Sequence, residues 1–300
     1  MIVSIGDLVD DVVVHARDAF HPAADTPAQI RHRRGGSAAN VVASVARAGG
    51  ASRFVGQIGD DAVGDRLVER LTATGAEVVV RRAGRTGTLV VIVAVDGERS
   101  FFTDRGASVN PADTDPAWLD GATALHLPAY GWAEGPLATT TAEVVDHAHQ
   151  RGIRVSVDAS STTVIGALGT TAMLDRLAAS CADVVFANRD EAALLGIGPG
   201  NPAPRAAWTV VREGGRCTHL VAADGTTSTV EVPPVERVVD TTGAGDGFAA
   251  GWLLARGQGA DPLECVDHGH RLAAAMLAHP GADPDPDPGP DDHRLEEPTR

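Results

Sequence analysis

The chain has 300 residues, enough to bury roughly three quarters of its unfolded surface, so one large α/β domain or two small ones can form unaided. Its 40 acidic residues against 25 basic ones give a net charge of −15, which argues against a nucleic-acid surface. Every basic residue is arginine, which excludes a Walker A loop and Schiff-base or pyridoxal chemistry, since each needs a lysine amine.

Cys181, Cys217 and Cys265 are odd in number and far apart, as expected of buried thiols in a reducing cytosol and not of a disulfide or zinc framework. The N-terminus carries Asp7, Asp10 and Asp11 where a signal peptide has basic residues, and no apolar run reaches membrane-spanning length. A cytoplasmic protein with no membrane partner is expected.

Ile2 to Ile5 is a short apolar run ending at Gly6, the pattern of a buried strand that delivers its loop to a site at the carboxyl edge of a sheet. Val12 to Val14 and Gln29 to Arg33 read as strands outside that sheet, flanking a loop rich in Pro and Ala. Gly35-Gly36-Ser37-Ala38-Ala39-Asn40 opens a helix that runs through Ala46 and ends at Gly49-Gly50. Asn40 in its first turn offers a donor and an acceptor to a polyol, although a Gly-Gly turn followed by a surface Asn accounts for the same residues.

Arg53 to Gly56 is the next strand, and Ile58-Gly59-Asp60-Asp61-Ala62-Val63-Gly64 leads into a helix over Arg66 to Thr74. Thr86 to Phe102, with a turn at Asp96-Gly97-Glu98, has the pattern of a hairpin. Two β excursions outside an α/β alternation, roughly 12–34 and 86–103, suggest a lid. From Ala122 the alternation becomes regular: strands at Leu125 to Leu127, Ile153 to Val157 and Val184 to Phe186, with a helix over Thr141 to Arg151. Strands that alternate with helices imply a parallel sheet covered on both faces, with ligands at the carboxyl ends of its strands. Asn188 and Glu191 lie at such an end, where acids that merely start a helix are also common. Trp208 to Val211 and Leu220-Val221 are further strands around a Gly214-Gly215 turn.

Val230, Val232 and Val238-Val239 read as extended and precede Asp240-Thr241-Thr242-Gly243-Ala244-Gly245-Asp246-Gly247-Phe248. A buried helix follows, through Ala255, with its first turn near Gly245. The amides of residues 243 to 246 then lack intrahelical acceptors at the positive end of a helix, where small residues let a phosphate approach the main chain. A carboxylate there would repel the phosphate, so Asp246 suits a base that deprotonates an attacking hydroxyl. An Asp in the first turn of a helix is also an ordinary structural feature. Leu263 to Ala278 is the last helix, and residues 284–300, dominated by Asp and Pro, read as a disordered acidic tail after a domain over 1–283.

Taken together, these motifs resemble the ribokinase-like, or PfkB, family of carbohydrate and nucleoside kinases. Gly35-Gly36-x-x-x-Asn40 with Val55-Gly56-x-Ile58-Gly59-Asp60-Asp61 and Gly64 is similar to its N-terminal signature, Asn188-x-x-Glu191 to its Asn-x-x-Glu motif, and Asp240 to Asp246 to its C-terminal signature. The resemblance implies a three-layer α/β/α sandwich with a mainly parallel sheet and a small β lid, which in many members also forms a homodimer. It implies transfer of the γ-phosphate of ATP to a primary hydroxyl, with Asp246 as base and the amides of Gly243, Ala244 and Gly245 as anion hole. It further implies Asp11, Gly36 and Asn40 for the sugar, and Asn188, Arg212, Gly214 and Gly245 for the nucleotide. Glu191 would organise Mg²⁺ through water, and Asp240 with Thr242 would bind a monovalent cation such as K⁺. Tyr130 stands where ribose kinases have a carboxylate and Ser37 where they often have lysine, so a sugar acid, another sugar or a nucleoside stays open as substrate. Arg105 is placed either to face an acidic substrate or to serve structurally. Arg212 and Cys217 replace the family's usual Thr and Gly, and the helix expected over Gly196 to Ala207 is shortened. A non-catalytic sugar sensor needs no base aimed at a phosphate, and a dinucleotide-dependent oxidoreductase would place its glycine turn after the first strand.

Overall fold

The computed structural model describes residues 1–278 apart from 21–22, 96–97, 110–112 and 133–134. The acidic tail and part of the Asp96-Gly97-Glu98 turn lie outside the described residues. In chain order the elements are β1 (Ile2–Ile5), β2 (Val9–Ala16), β3 (Ala28–Gly35), α1 (Ser37–Arg47), β4 (Ser52–Ile58), α2 (Ala62–Ala73), β5 (Glu77–Arg82), β6 (Thr88–Val93) and β7 (Arg99–Asp104). They continue with β8 (Ala124–Pro128), α3 (Leu137–Gln150), β9 (Arg154–Asp158), α4 (Thr162–Leu168), α5 (Thr170–Ser180), β10 (Val184–Asn188), α6 (Arg189–Leu195), β11 (Trp208–Arg212), β12 (Cys217–Ala222), β13 (Thr227–Glu231), α7 (Ala244–Gly257) and α8 (Pro262–Leu277).

A large sheet runs β13-β12-β11-β10-β9-β8-β1-β4-β5. It is parallel from β5 to β11, while β12 and β13 join antiparallel. Successive side chains of a strand point to opposite faces, so a strand covered on both sides reads as a continuous apolar run. Accordingly Val185 and Ala187 of β10 pack with Leu137, Val144, Ile165 and Leu177 beneath α3 to α6, whereas Val184 and Phe186 pack with Val41, Phe248 and Trp252 beneath α1, α7 and α8. The expected α/β/α sandwich is thus present. Gly251 and Gly269 bring α7 and α8 together, because a Cβ at Gly251 would strike the His268 carbonyl and one at Gly269 the Phe248 ring.

A second sheet of four strands, β3-β2-β6-β7, is the expected lid. Asp61 ties it to the body: as the cap of α2 it accepts from the Gly64 amide at 2.8 Å, and it also accepts from the Thr86 amide at 2.8 Å and the Thr86 hydroxyl at 2.6 Å. The Gly59-Asp60-Asp61 motif therefore anchors the base of the lid.

Several boundaries differ from the sequence reading. Helix α2 begins one turn before Arg66 because Asp61 caps it, and α3 begins one turn before Thr141. Strand β13 ends at Glu231. Pro233 and Pro234 offer no N–H to a ladder, so Val238 and Val239 are irregular and the Val239 amide bonds the Leu277 carbonyl at 2.8 Å. The segment Gly196 to Ala207 carries no helix, only a Gly198–Asn201 bridge, in keeping with its shortening. No helix among the described residues is long and apolar enough to cross a membrane.

Candidate active site

A cleft of about 1350 Å³ opens at the carboxyl ends of β1, β8, β9, β10 and β11, beneath the lid. It brings together every candidate residue of the sequence reading except Asp240: Asp11, Gly36, Asn40, Arg105 and Tyr130 with Asn188, Glu191, Arg212, Gly214 and Thr242 to Asp246. Residues up to 235 positions apart in the chain, Asp11 and Asp246, thus face one space.

The N-termini of α1 and α7 meet there. Gly243 caps α7 with φ of 77°, a left-handed conformation that glycine adopts without strain. The Gly247 amide bonds the Gly243 carbonyl at 2.8 Å and begins the helix. One amide differs from expectation: Ala244 N–H contacts the Thr241 carbonyl at 3.3 Å, a long bond that an anion would have to replace.

Asp246 is held from the α1 side. Ser37 Oγ donates to its Oδ1 at 2.6 Å and Asn40 Nδ2 donates to its Oδ2 at 2.9 Å. The fully buried Arg34 donates from Nη1 to Asn40 Oδ1 at 2.9 Å. That contact fixes which end of the Asn40 amide faces the carboxylate. Burial is the largest influence on Asp246 and, with the Asp158 charge, pushes its pKa up to about 6 against the opposing bonds from Ser37 and Asn40. Ser37, read from the sequence only as a departure from the family pattern, thus has a direct part in the site.

Gly36 (φ 101°) could not be another residue, since a Cβ there would overlap the Asp7 carbonyl. At Gly35 a Cβ would overlap the carboxylate of Asp11 across the β2–β3 pair. The three N-terminal aspartates separate cleanly. Asp7 pairs with Arg105, and Asp10 pairs with His32 at 2.7 Å and Arg66 at 3.2 Å. Asp11 lines the cleft, and its Oδ1 is buried without a hydrogen-bond partner among the described residues. Burial above all pushes the Asp11 pKa up to about 7, with Arg34 opposing and the charges of Asp10 and Asp246 adding to the rise. Arg105 is neutralised by Asp7 and lies over the Tyr130 ring, 4.6 Å from its centroid. Tyr130, whose pKa burial pushes up to about 12, donates to the Ser160 carbonyl at 3.3 Å.

At the other end of the cleft Asn188 caps α6 in a reciprocal capping box. Its Oδ1 accepts from the amides of Asp190 and Glu191 at 2.9 Å, and Glu191 accepts from the Asn188 amide at 2.8 Å and from its Nδ2 at 2.6 Å. Both ends of the Asn188 side chain are therefore engaged in positioning Glu191. Glu191 is buried, and desolvation, then the charge of Asp158, raises its pKa. Asp158 ends β9. It pairs with Arg212 at 2.8 Å, and Arg212 also donates to the Gly245 carbonyl at 3.0 Å. One guanidinium thus links the glycine turn to the acidic end of the cleft. Asp240 lies behind that turn, its Oδ1 accepting from the Thr242 amide at 2.9 Å and hydroxyl at 2.8 Å.

Residues 1–288 match the pfkB family carbohydrate kinase along their whole extent. The chain belongs to that family. As a PfkB carbohydrate kinase it is a phosphotransferase. It is similar to an ATP-dependent ribose-1-phosphate kinase of Halopiger xanaduensis, 30% identical over 87% of each chain, and to a fructokinase of Klebsiella pneumoniae, 31% identical over 73% of this chain and 75% of that one. Among solved structures it resembles adenosine kinase from Sinorhizobium meliloti (TM-score 0.82, 24% identity) and an uncharacterized sugar kinase from Pyrococcus horikoshii in complex with ATP (TM-score 0.80, 24% identity), with 95% of each chain covered in both cases. At that identity the structural likeness speaks for the fold.

Proposed function

We propose that this PfkB kinase transfers the γ-phosphoryl group of ATP to the primary hydroxyl of a small sugar, with Asp246 as general base. The observation that carries the reading is the Asp246 carboxylate, held by Ser37 and Asn40 in the first turn of α7 beside the glycine cap of that helix. At neutral pH Asp246 is ionised and can take the hydroxyl proton, while the amides of Gly243, Ala244 and Gly245 would donate hydrogen bonds to the oxygens of the transferring group. A positioned base contributes about 10²–10⁴-fold and one preorganised donor about 10²–10³-fold.

The orphaned Oδ1 of Asp11 suits a sugar hydroxyl as donor, and Asn40 and Tyr130 offer further polar contacts beside it. The nucleotide would lie along Gly214, Gly245 and Arg212. Mg²⁺ would be held at the acidic end of the cleft: Glu191 and Asp158 are hard oxygen donors, and desolvation first, then the Asp158 charge, raises the Glu191 pKa, a cost that a cation would offset. Held there by Glu191 and Asp158, Mg²⁺ would supply positive charge to offset that of the ATP phosphates. A K⁺ ion would use Asp240 and the Thr242 carbonyl; equal rates in potassium and in a large organic cation would remove it.

A nucleoside is the second reading. It is favoured by Leu89 and Phe101, which give the lid an apolar surface toward the cleft. The opposite face of the lid carries Ile30 and Phe102, 59% and 61% exposed, beside Val12, Val14, Val90 and Ile92 in register, which supports a lid-mediated homodimer. Three free cysteines fit a reducing cytoplasm.

The test is ADP release with Mg²⁺-ATP against fructose, ribose, ribose 1-phosphate and adenosine. Turnover on a sugar is the expected result, turnover confined to adenosine selects the second reading, and ligand-induced stabilisation without any turnover overturns the kinase reading.

A further inference from the structure

The β11–β12 hairpin carries a group of side chains that the phosphotransfer chemistry does not use. Glu213, Cys217 and His219 bring a carboxylate, a thiol and an imidazole to one point at the end of the large sheet. The hairpin creates the group. The Glu213 amide bonds the Cys217 carbonyl at 2.9 Å across the Gly214-Gly215 turn, which sets Glu213 opposite Cys217. Cys217 and His219 are two apart on β12 and so share a face. Thr218 between them points the other way and meets buried His270 at 2.9 Å.

The distances suit a metal. Cys217 Sγ lies 3.7 Å from His219 Nε2 and 3.9 Å from Glu213 Oε2, and His219 Nε2 lies 3.6 Å from Glu213 Oε1. Tetrahedral zinc, with Zn–S about 2.3 Å and Zn–N or Zn–O about 2.0 Å, separates its ligand atoms by roughly 3.3–3.5 Å. The two Glu213 distances belong to different oxygens, and one ligand atom from each residue lies within 4.8 Å of the others, so rotation of the Glu213 carboxylate must draw the set together to reach the zinc spacing. His219 is also oriented for ligation. Thr229, its register partner on β13, has Oγ1 2.9 Å from Nδ1, and the tautomer that donates Nδ1–H to it turns the Nε2 lone pair toward Cys217 and Glu213. The side chains of Glu213 and His219 are 22% and 17% exposed, so a cation has a path in and water can take the fourth position. Arg216, 62% exposed, holds Glu213 Oε2 at 2.9 Å and can swing into solvent when a cation replaces it.

We propose that Glu213, Cys217 and His219 form a three-ligand site for a borderline transition-metal cation, Zn²⁺ being the best fit. The mixed sulfur, nitrogen and oxygen donors select against Mg²⁺ and Ca²⁺, which take oxygen ligands. Coordination releases the thiol proton to solvent. Because the turn it closes, Gly214-Gly215, lines the cleft, the site ties β11 to β12 behind the nucleotide end. The dispersed cysteines argued against a zinc framework in the sequence; the hairpin supplies the two non-cysteine ligands that spacing alone did not reveal.

The test titrates Co²⁺, then Zn²⁺, into the untagged full-length chain with its thiols reduced, following the thiolate-to-cobalt charge-transfer absorption. One equivalent of Co²⁺ should develop the band and Zn²⁺ should bleach it. Cys217→Ser and His219→Ala should abolish the band, Cys181→Ser should keep it, and all three should melt like the parent chain without metal. Thr229→Val should keep the band and weaken binding about ten-fold, the loss typical of an outer hydrogen-bond partner. No band in the parent chain, or a band that survives Cys217→Ser, overturns the proposal.

Discussion

Asp11→Asn should make the protein more stable and the enzyme worse, with a stability gain that depends on pH. The pKa of Asp11 rises from 3.8 to about 7 on folding, burial being the main cause. A carboxyl whose folded pKa is raised opposes folding by nothing below pH 3.8, by a growing amount between 3.8 and about 7, and by the full amount above about 7. At roughly 1.4 kcal/mol per pKa unit, the full amount is at most about 4 kcal/mol, and at pH 5 it is less than half of that. Asn keeps the shape beside Gly35 and removes the ionisation. Urea unfolding should therefore show the variant ahead of the parent by at most about 4 kcal/mol at pH 8 and by less than half as much at pH 5, each kcal/mol being worth roughly 2 °C of Tm in a chain of this size. Losing a charged acceptor for a sugar hydroxyl should raise KM for the sugar about 10- to 100-fold. A difference of equal size at both pH values, or a variant less stable at pH 8, would refute the account of Asp11 as a strained acceptor kept for its ligand.

Other expectations follow from the same geometry. At saturating sugar, kcat should fall about ten-fold per pH unit below about pH 6, as Asp246 takes up a proton and ceases to be a base; Ser37→Ala, which removes a bond that favours the carboxylate, should move that acid limb upward, and an unmoved limb would separate Ser37 from Asp246. Arg212→Ala leaves Asp158 buried without its partner and the Gly245 carbonyl without its donor, so a loss of about 3 kcal/mol in stability and a raised KM for ATP are expected in chemical denaturation and initial-rate assays. Ile30→Asp combined with Phe102→Asp should convert a dimer to a monomer in sedimentation; an unchanged oligomer would move the interface away from the outer face of the lid.

Much of this fold could be read from the chain because its central strands are covered on both faces. Val184 to Phe186 is a continuous apolar run for that physical reason, Ile2 to Ile5 is one broken only by buried Ser4, and each delivers a polar residue to the cleft at its carboxyl end. Edge strand β5 escaped notice because Glu77 to Arg82 is exposed or half-buried and ends in two arginines. Helices α4 and α5 are separated only by Gly169, and neither has a long apolar stripe to announce it. In the site, the motif around Asp246 was legible since a glycine turn, a carboxylate and a helix start are adjacent in sequence. The supports of that motif were not: Ser37 is 209 residues from Asp246, and Asp158 is 54 from Arg212. No local pattern encodes such pairings, which exist only once α1 packs on α7 and β9 lies two strands from β11. Asn188 shows the converse, a motif residue found by its spacing whose side chain proves to hold its motif partner, Glu191.

Asp246→Asn keeps the side-chain shape beside Ser37 and Asn40 and removes only the capacity to take a proton from the attacking sugar hydroxyl. With the sugar that the ADP-release panel selects, kcat should fall about 10²- to 10⁴-fold while calorimetry shows sugar and ATP binding within a few-fold of the parent chain; a variant that retains kcat within a few-fold would contradict the account.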